Sequence, residues 1–229
     1  MSGPALEPVV AFWLGPVAIT RTVVTTWGVT AALAGAAFLA TRRMRPVPGP
    51  LQALAESLVL GMESAIAAVV PGHERALLPF IGTLWLYLGL ANLVGVVPGL
   101  DSPTADLGAT SALAIVVLLA SHWYGARARG LSYLRHYLLP NPLMLPFHLM
   151  SEISRTVALA VRLFGNIMSL EIAALLILLV AGFLVPVPIL MLHVIEALVQ
   201  AYIFGMLALI YVGGGLQAQY SRAPGEENS

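Results

Sequence analysis

The chain has no cysteine and no lysine, and only 10% of its 229 residues are charged. Without cysteine, disulfide bonds, thiol catalysis and cysteine-ligated metals are excluded. The 11 basic residues, all arginine, equal the 11 acidic residues in number, so net charge favours neither nucleic acid nor acidic substrates as partners. Phosphate-binding loops, nucleophile elbows and metal-binding helix motifs are also missing, so the sequence does not predict a standalone enzyme, a cofactor or a metal site.

Hydrophobic residues are what the chain has in excess. They make up 59% of the sequence, and the mean hydropathy of +0.90 is typical of an integral membrane protein. The first twenty residues carry no basic side chain, so we expect no cleaved secretory signal and an anchoring first apolar segment. We find no repeat of 20–50 residues, which disfavours an inverted-repeat transporter.

The apolar segments predict an all-α polytopic membrane protein, with residues 1–229 forming a single membrane domain. Prolines break the first 21 residues, which we expect at the surface. Residues 51–70 carry Gln52, Glu56 and Glu63 on one face, which predicts an amphipathic helix on the membrane surface. Five segments are predicted to cross the membrane, the last two as a long tilted hairpin: 22–41, 76–97, 107–124, 148–180 and 189–212.

The arginines predict how these segments are oriented. With five crossings and the N-terminus outside, Arg21 alone of the connecting arginines lies outside, and the C-terminus is cytoplasmic. The cytoplasmic side then receives Arg42, Arg43, Arg45, Arg75, Arg127, Arg129, Arg135 and Arg222. The opposite orientation would reverse this bias.

Residues 148–180 are the most informative stretch. As a helix they would measure about 50 Å, against a hydrocarbon core of about 30 Å, so the helix must be tilted or must project from the membrane. One face carries a polar row, and Glu171 points to the opposite side. The row comprises His148, Ser151, Arg155, Arg162 and Asn166.

Arg162 is the most unusual residue of this row, because no other charge lies within six residues of it. An ionised arginine inside a membrane costs about 2.5–3.5 kcal/mol on insertion scales. Arginine does not become neutral in proteins. Arg162 therefore has to be paired, hydrated or directly functional, whereas Ser151 or Ser154 alone could equally serve as helix-packing polar groups.

The last span carries a second polar row. His193, Glu196 and Gln200 lie at helical spacing, with Tyr211 on the same face. Histidine and carboxylates exchange protons near neutral pH when burial shifts their pKa values. His193 alone could equally be a buried hydrogen-bonding residue, but together the two rows favour a relay for protons or other cations.

The run Arg162-Leu-Phe-Gly-Asn166 in a long membrane helix resembles the a subunit of the membrane sector of F-type rotary ATP synthases. Two further runs support the resemblance: Gln200-Ala-Tyr-Ile-Phe204, and Asn92 to Pro98 followed by Ser-Pro-Thr-Ala-Asp106. It covers most of the chain from about residue 80, whereas the first 75 residues match only in hydropathy.

The resemblance implies a stator in a bacterial inner membrane, without catalytic activity of its own. Arg162 would face the carboxylates of a rotating ring of c subunits and pass H+ or Na+ to and from them. Asn166, Glu171, His193, Glu196 and Gln200 would line an outward half-channel, and His148, Ser151 and Ser154 an inward one. Gly165 would allow a close backbone approach. The implied partners are the c-ring, peripheral-stalk b-type subunits, the rest of the synthase and the lipid bilayer.

The sequence also departs from that family. Many members carry proline and serine where Thr156 and Ala158 stand here, and Glu196 is an additional acid. Since a carboxylate oxygen is a ligand for hard cations, Glu196 leads to the hypothesis that the outward channel suits Na+ as well as H+.

The sequence leaves two alternatives to the stator function. One is an independent anion channel or transporter with Arg162 as the substrate ligand. The other is a structural assembly subunit in which Arg162 only pairs with an acid of a partner.

Overall fold

A computed structural model describes residues 10–14, 17–42, 46, 48–97, 100, 102–129, 145–181 and 187–217. Four of the arginines used in the orientation argument, Arg43, Arg45, Arg135 and Arg222, lie outside these residues. So do the first nine residues and the polar tail from residue 218.

Six α-helices account for most of the described chain. They are α1 (Arg21–Arg42), α2 (Pro50–Val69), α3 (Glu74–Val94), α4 (Leu107–Arg129), α5 (Leu145–Ala181) and α6 (Val187–Gln217), and a 3₁₀ turn occupies Pro103–Ala105. All six are long and apolar enough to cross a membrane. A polytopic helical membrane protein is therefore confirmed. The count of five crossings stays a prediction, because α2 also meets the length and hydropathy criteria.

Helices α4 and α6 continue past the membrane spans predicted for them. Helix α4 runs to Arg129, beyond the predicted span 107–124, and arginine is a good helix former. Helix α6 continues through Gly213 and Gly214 to Gln217, beyond the predicted span 189–212, and glycine is common inside membrane helices. A helix can project from the membrane, so the bounds of the spans stay predictions.

The predicted all-α class misses an N-terminal β-hairpin. Strand β1 (Val10–Leu14) pairs antiparallel with β2 (Val17–Thr20). Both strands are rich in β-branched and aromatic residues, and Gly15-Pro16 separates them in the sequence, which is a hairpin signal. The prolines excluded a long helix but did not exclude strands. The hairpin leaves Trp13 exposed.

The core lies among α3, α4, α5 and α6. Helix α3 packs along α6, while α4 contacts both α5 and α6. The α1 and α2 helices lie at the periphery, chiefly against α3. The fully buried side chains include Leu77, Leu88, Leu163, Phe204 and Leu209.

Helices α3 and α6 approach most closely at Gly205. A Cβ atom at this position would overlap the indole of Trp85. Trp85 stacks on Tyr202 with ring centroids 6.0 Å apart, and its Nε1 donates a hydrogen bond to the Tyr202 carbonyl oxygen at 3.2 Å. Because Gly205 has no side chain, the Trp85 indole can pack directly against the α6 backbone.

A buried polar network fixes the 3₁₀ turn to α3 and α6. The Asn92 side-chain amide donates to the Ala197 carbonyl oxygen at 3.1 Å and accepts from the Thr104 hydroxyl at 2.6 Å. The Ser102 hydroxyl lies 2.7 Å from that of Thr104 and donates to the Ala91 carbonyl oxygen at 3.0 Å. All three side chains are buried, so the turn is part of the core rather than a surface loop.

The outer surface of the bundle is strongly apolar. Leu179 and Val180 on α5 are 84% and 85% exposed, and many further aliphatic side chains of α5 and α6 face outward. Apolar surfaces of this extent contact lipid or a partner protein.

We expect Gly205→Ala to destabilise the protein, because the added methyl group would displace the Trp85 indole from α6. Overpacking of this kind typically costs about 1–3 kcal/mol. Thermal unfolding of protein extracted from membranes measures the effect. Gly214→Ala on the same helix is the matched control, since a Cβ there meets nothing within 4 Å. Equal melting temperatures for the two variants would contradict the packing assigned to Trp85.

Candidate functional site

Arg162 lies on the outer face of α5, on the side that does not enter the core. Its side chain is exposed, and so are those of Val157 and Val161 beside it. The inner face of the same helix buries Leu159, Leu163 and Ile167. The guanidinium group is therefore displayed within an apolar surface.

Within the part of the chain that the structure describes, Arg162 has no ion pair and no hydrogen-bond acceptor for its guanidinium group. A permanent charge in an apolar surface needs such compensation. No side chain of the described residues supplies it.

Gly165 also faces away from the rest of this chain. A Cβ atom there would meet nothing within 4 Å. The close backbone approach expected at Gly165 therefore does not occur among the described residues of this chain.

The two polar rows meet between α5 and α6. The Asn166 side-chain amide donates a hydrogen bond of 2.8 Å to the side-chain oxygen of Gln200. Gln200 is fully buried, and its own Nε2 has no partner among the described residues. The polar row on α5 and the polar row on α6 thus touch one helical turn beyond Arg162.

His193 lies further along the same face of α6. It is fully buried, and neither ring nitrogen has a hydrogen-bond partner in the described part of the chain. Glu196, one turn away, is partly buried. Buried polar groups in proteins are normally hydrogen-bonded, often to internal water. The three unpartnered nitrogens of His193 and Gln200 therefore indicate a place suited to water or to a mobile ion.

Glu171 lies on a different side of α5 from Arg162, next to the end of α3. A Cβ atom added at Gly95 would lie 3.2 Å from the Oε1 of Glu171 and only 2.9 Å from the Cβ of Ser102. Gly95 therefore provides the space in which the carboxylate of Glu171 lies against the 3₁₀ turn. The buried network of Asn92, Ser102 and Thr104 forms the wall behind it.

The residues predicted for the inward half-channel lie near the start of α5. His148, Ser151 and Ser154 are all exposed. On the same helix, the Arg155 guanidinium lies over the Tyr211 ring of α6, 4.7 Å from its centroid. This cation–π contact joins the two long helices at the end opposite to His193.

Two side-chain groups were not recognised from the sequence. One is the wall network, of which only Asn92 stood out as a polar residue in its span. The other is an ion pair between His122 on α4 and Glu152 on α5, with Nε2 and Oε2 3.2 Å apart. His122 is the only titratable side chain in the predicted span 107–124 apart from Tyr124. A histidine in an otherwise apolar span is the sequence feature that could have indicated this pair.

The family model and the individual relatives that match this chain point to the same family. Residues 23–213 match the family described as the ATP synthase A chain. This match begins well before residue 80, so the likeness extends over the N-terminal part for which only hydropathy was expected to agree.

Individual relatives agree with the family match. "ATP synthase subunit a 1" of Hahella chejuensis is 64% identical over 207 residues, covering 90% of this chain and 88% of the relative. "ATP synthase subunit a 2" of Pelobacter propionicus is 56% identical over 220 residues, covering 95% and 96%. "ATP synthase subunit a" of Legionella pneumophila strain Paris is 52% identical over 218 residues, covering 94% and 95%.

We expect Thr104→Val to destabilise the protein and Thr104→Ser to leave it close to native. Valine keeps the shape but removes the hydroxyl that donates to Asn92, and an unsatisfied buried polar group costs about 1–3 kcal/mol. Serine retains the donor. Thermal unfolding of both variants tests this, and a Thr104→Val protein as stable as native would show that the network does not hold the turn.

Proposed function

The chain belongs to the ATP synthase A chain family, and from this premise we propose how its residues carry ions across the membrane. It is the ion-translocating stator subunit of an F-type ATP synthase and has no catalytic activity of its own. The observation that carries the proposed mechanism is the exposed guanidinium group of Arg162, which has no acceptor among the described residues of the chain.

Arg162 acts on the carboxylates of the rotating c-ring. A fixed cation beside a carboxylate favours its ionised form, so a ring carboxylate that arrives protonated or cation-bound releases its ion. The same charge repels free cations, which keeps them from passing directly between the two half-channels. Ions then cross only when the ring carries them. The apolar side chains around Arg162 support this role, because they suit a sliding contact with an apolar ring.

The outward half-channel is formed where the two polar rows meet. Asn166, Gln200, His193, Glu196 and Glu171 line it in this proposal. The hydrogen bond between Asn166 and Gln200 and the unpartnered ring nitrogens of His193 support this assignment, since both indicate a polar, hydratable space within the bundle. The path begins near Glu171 and ends beside Arg162.

The inward half-channel uses the first turns of α5. His148, Ser151 and Ser154 lie on the cytoplasmic side of Arg162 in this proposal, and the rest of the described chain covers none of them. Each monovalent ion that moves through 100 mV supplies about 2.3 kcal/mol, so a leak between the half-channels would waste the gradient. Arg162 lies between the two proposed sets, where such a barrier is needed.

Five helices cross the membrane in this proposal, and α2 lies along its cytoplasmic surface. The exposure of Leu51, Leu54 and Glu56 in the first half of α2 supports a surface position. The N-terminus is then outside and the C-terminus cytoplasmic. The membrane is a bacterial inner membrane, and the partners are the c-ring and b-type stalk subunits of the synthase. The bacterial sources of the relatives support this setting.

The other two functions lack such support. An anion transporter would enclose its substrate-binding arginine, whereas Arg162 is on the outer face. A purely structural subunit needs no buried, unpartnered histidine and amide between its long helices.

We expect Arg162→Ala to abolish ATP-driven ion uptake into vesicles that contain the whole complex, because the ring carboxylates would no longer be discharged. Arg162→Lys should also reduce uptake strongly, since a lysine ammonium can lose its proton and lacks the planar fork of donors. Assembly of the complex is checked in parallel. Native uptake rates in a fully assembled Arg162→Ala complex would refute the proposed mechanism, and full activity of Arg162→Lys would favour a structural role.

The choice of ion is tested through Glu196. If this additional carboxylate makes the outward channel suitable for Na+, ATP-driven transport at fixed pH should respond to Na+, and Glu196→Gln should weaken that response. Parallel H+ and Na+ readouts on native and variant complexes measure it. Transport that is unaffected by Na+ would exclude the Na+ hypothesis and leave H+ as the cargo.

A further inference from the structure

An ion pair joins α4 and α5 outside the two polar rows. His122 Nε2 lies 3.2 Å from Glu152 Oε2, with the side chains 37% and 23% exposed. Both residues lie toward the end of the bundle at which α4 ends and α5 begins. The pair is therefore close enough to water to exchange protons and sufficiently enclosed to keep its geometry.

The contact of the other ring nitrogen, Nδ1, indicates which nitrogen of His122 carries a hydrogen. His122 Nδ1 lies 2.8 Å from the backbone carbonyl oxygen of Leu118, one turn earlier on α4. A carbonyl oxygen only accepts, so Nδ1 must carry a hydrogen to make this bond. The neutral ring then has its lone pair on Nε2, and this lone pair faces Glu152.

The contact between Nε2 and Oε2 consequently requires one further proton. With it, the pair is either an imidazolium beside a carboxylate or a neutral ring beside a carboxylic acid, and each form makes a hydrogen bond. Without it, a lone pair faces a carboxylate and the contact is repulsive. A hydrogen bond between Nε2 and Oε2 therefore needs one proton that His122 and Glu152 share.

We infer that His122 and Glu152 form a proton-exchange site of the inward half-channel. This inference rests on the proposed function. A proton from cytoplasmic water adds to Nε2 or Oε2, and the net charge of the pair changes from −1 to 0. Release returns the proton to water or to the polar row on α5, and no bond between heavy atoms changes.

The position of Glu152 on α5 supports this role. At about 100° per residue, Glu152 is about 40° from His148 and about 80° from Arg162 around the helix. It therefore borders the polar row assigned to the inward half-channel. A proton held by the pair is therefore next to the polar groups of that row.

The charged and titratable groups around the pair come from every neighbouring element. On α5 they are His148 and Arg155, the latter directed to Tyr211 of α6. On α4 they are Arg127 and Tyr124, whose hydroxyl donates to the Ala76 carbonyl oxygen of α3. Glu74 and Arg75 lie at that same end of α3.

The test replaces Glu152 with glutamine in the complete complex. The glutamine amide can donate to His122 Nε2, so Glu152→Gln keeps the link between the helices but removes the carboxylate that shares the proton. ATP-driven H+ uptake into inverted vesicles is measured against the pH of the outer, cytoplasmic-side buffer. We expect the variant to lose uptake at a lower pH than the native complex, because loading from alkaline buffer becomes slower.

The controls separate proton exchange from a structural link. Glu56→Gln removes a carboxylate that is hydrogen-bonded to Gln52 on α2, away from the pair, and should leave the pH profile native. Glu152→Ala removes both the link and the proton. If Glu152→Gln matched the native profile while Glu152→Ala lost uptake, the pair would be structural and the inference would be wrong.

Infrared difference spectra provide a second measurement that does not depend on turnover. Spectra of the native complex recorded at low and at high pH should differ in a carboxyl band that is missing in Glu152→Gln. The absence of this band from the native spectrum would overturn the inference, and so would a complex that takes up only Na+. Loss of uptake in Arg162→Ala together with a native profile in Glu152→Gln would refute this inference alone and leave the stator function intact.

Discussion

The cost of placing the Arg162 charge in an apolar surface is the constraint on which the rest of the structure depends. The guanidinium group cannot lose its charge, and the described residues of the chain offer it no acceptor. The described part of the chain therefore leaves this charge without compensation. A ring carboxylate supplies the missing charge under the proposed mechanism, and each new carboxylate that reaches Arg162 renews the same compensation.

The bundle behind Arg162 contrasts two kinds of buried polar group. Asn92, Ser102 and Thr104 are linked to one another and to the backbone, which makes the wall near Glu171 rigid. His193 and the Gln200 amide nitrogen are buried without partners in the described chain. A network satisfied within the protein favours one arrangement, whereas unsatisfied groups keep an affinity for water and ions. The proposed channel thus combines a hydrogen-bonded wall with lining groups that can bind water or ions.

Much of the helical architecture could be predicted from the sequence. Apolar length and helical periodicity located the helices, and periodicity placed Asn166 and Gln200 each in a polar row of its own helix; the hydrogen bond between them is seen only in the structure. The family was also recognised from the residues around Arg162, and the comparisons confirm it. The roles assigned to His148, Ser151, Ser154, Glu171, His193 and Glu196 stay predictions. Periodicity places such residues on a face but does not show what moves past it.

Other features depend on tertiary contacts that the pattern of one segment does not contain. His122 pairs with Glu152 only because α4 packs on α5 in one particular register. The contact of Asn92 with Thr104 likewise requires the chain to reverse through a buried turn. The N-terminal hairpin was missed for a different reason, since prolines were used to exclude a helix and strand pairing was not considered.

The link between Asn92 and Ala197 has a mechanical consequence. Under the proposed mechanism a ring that rotates against α5 and α6 exerts a lateral force on them, and a helix held only by apolar packing can rotate about its own axis. The Asn92 amide donates to the α6 backbone, and the Trp85 indole fills the space at Gly205 on the same helix. These two contacts, about two turns apart, oppose such a rotation. Helix α3 thereby keeps the polar face of α6 in its orientation.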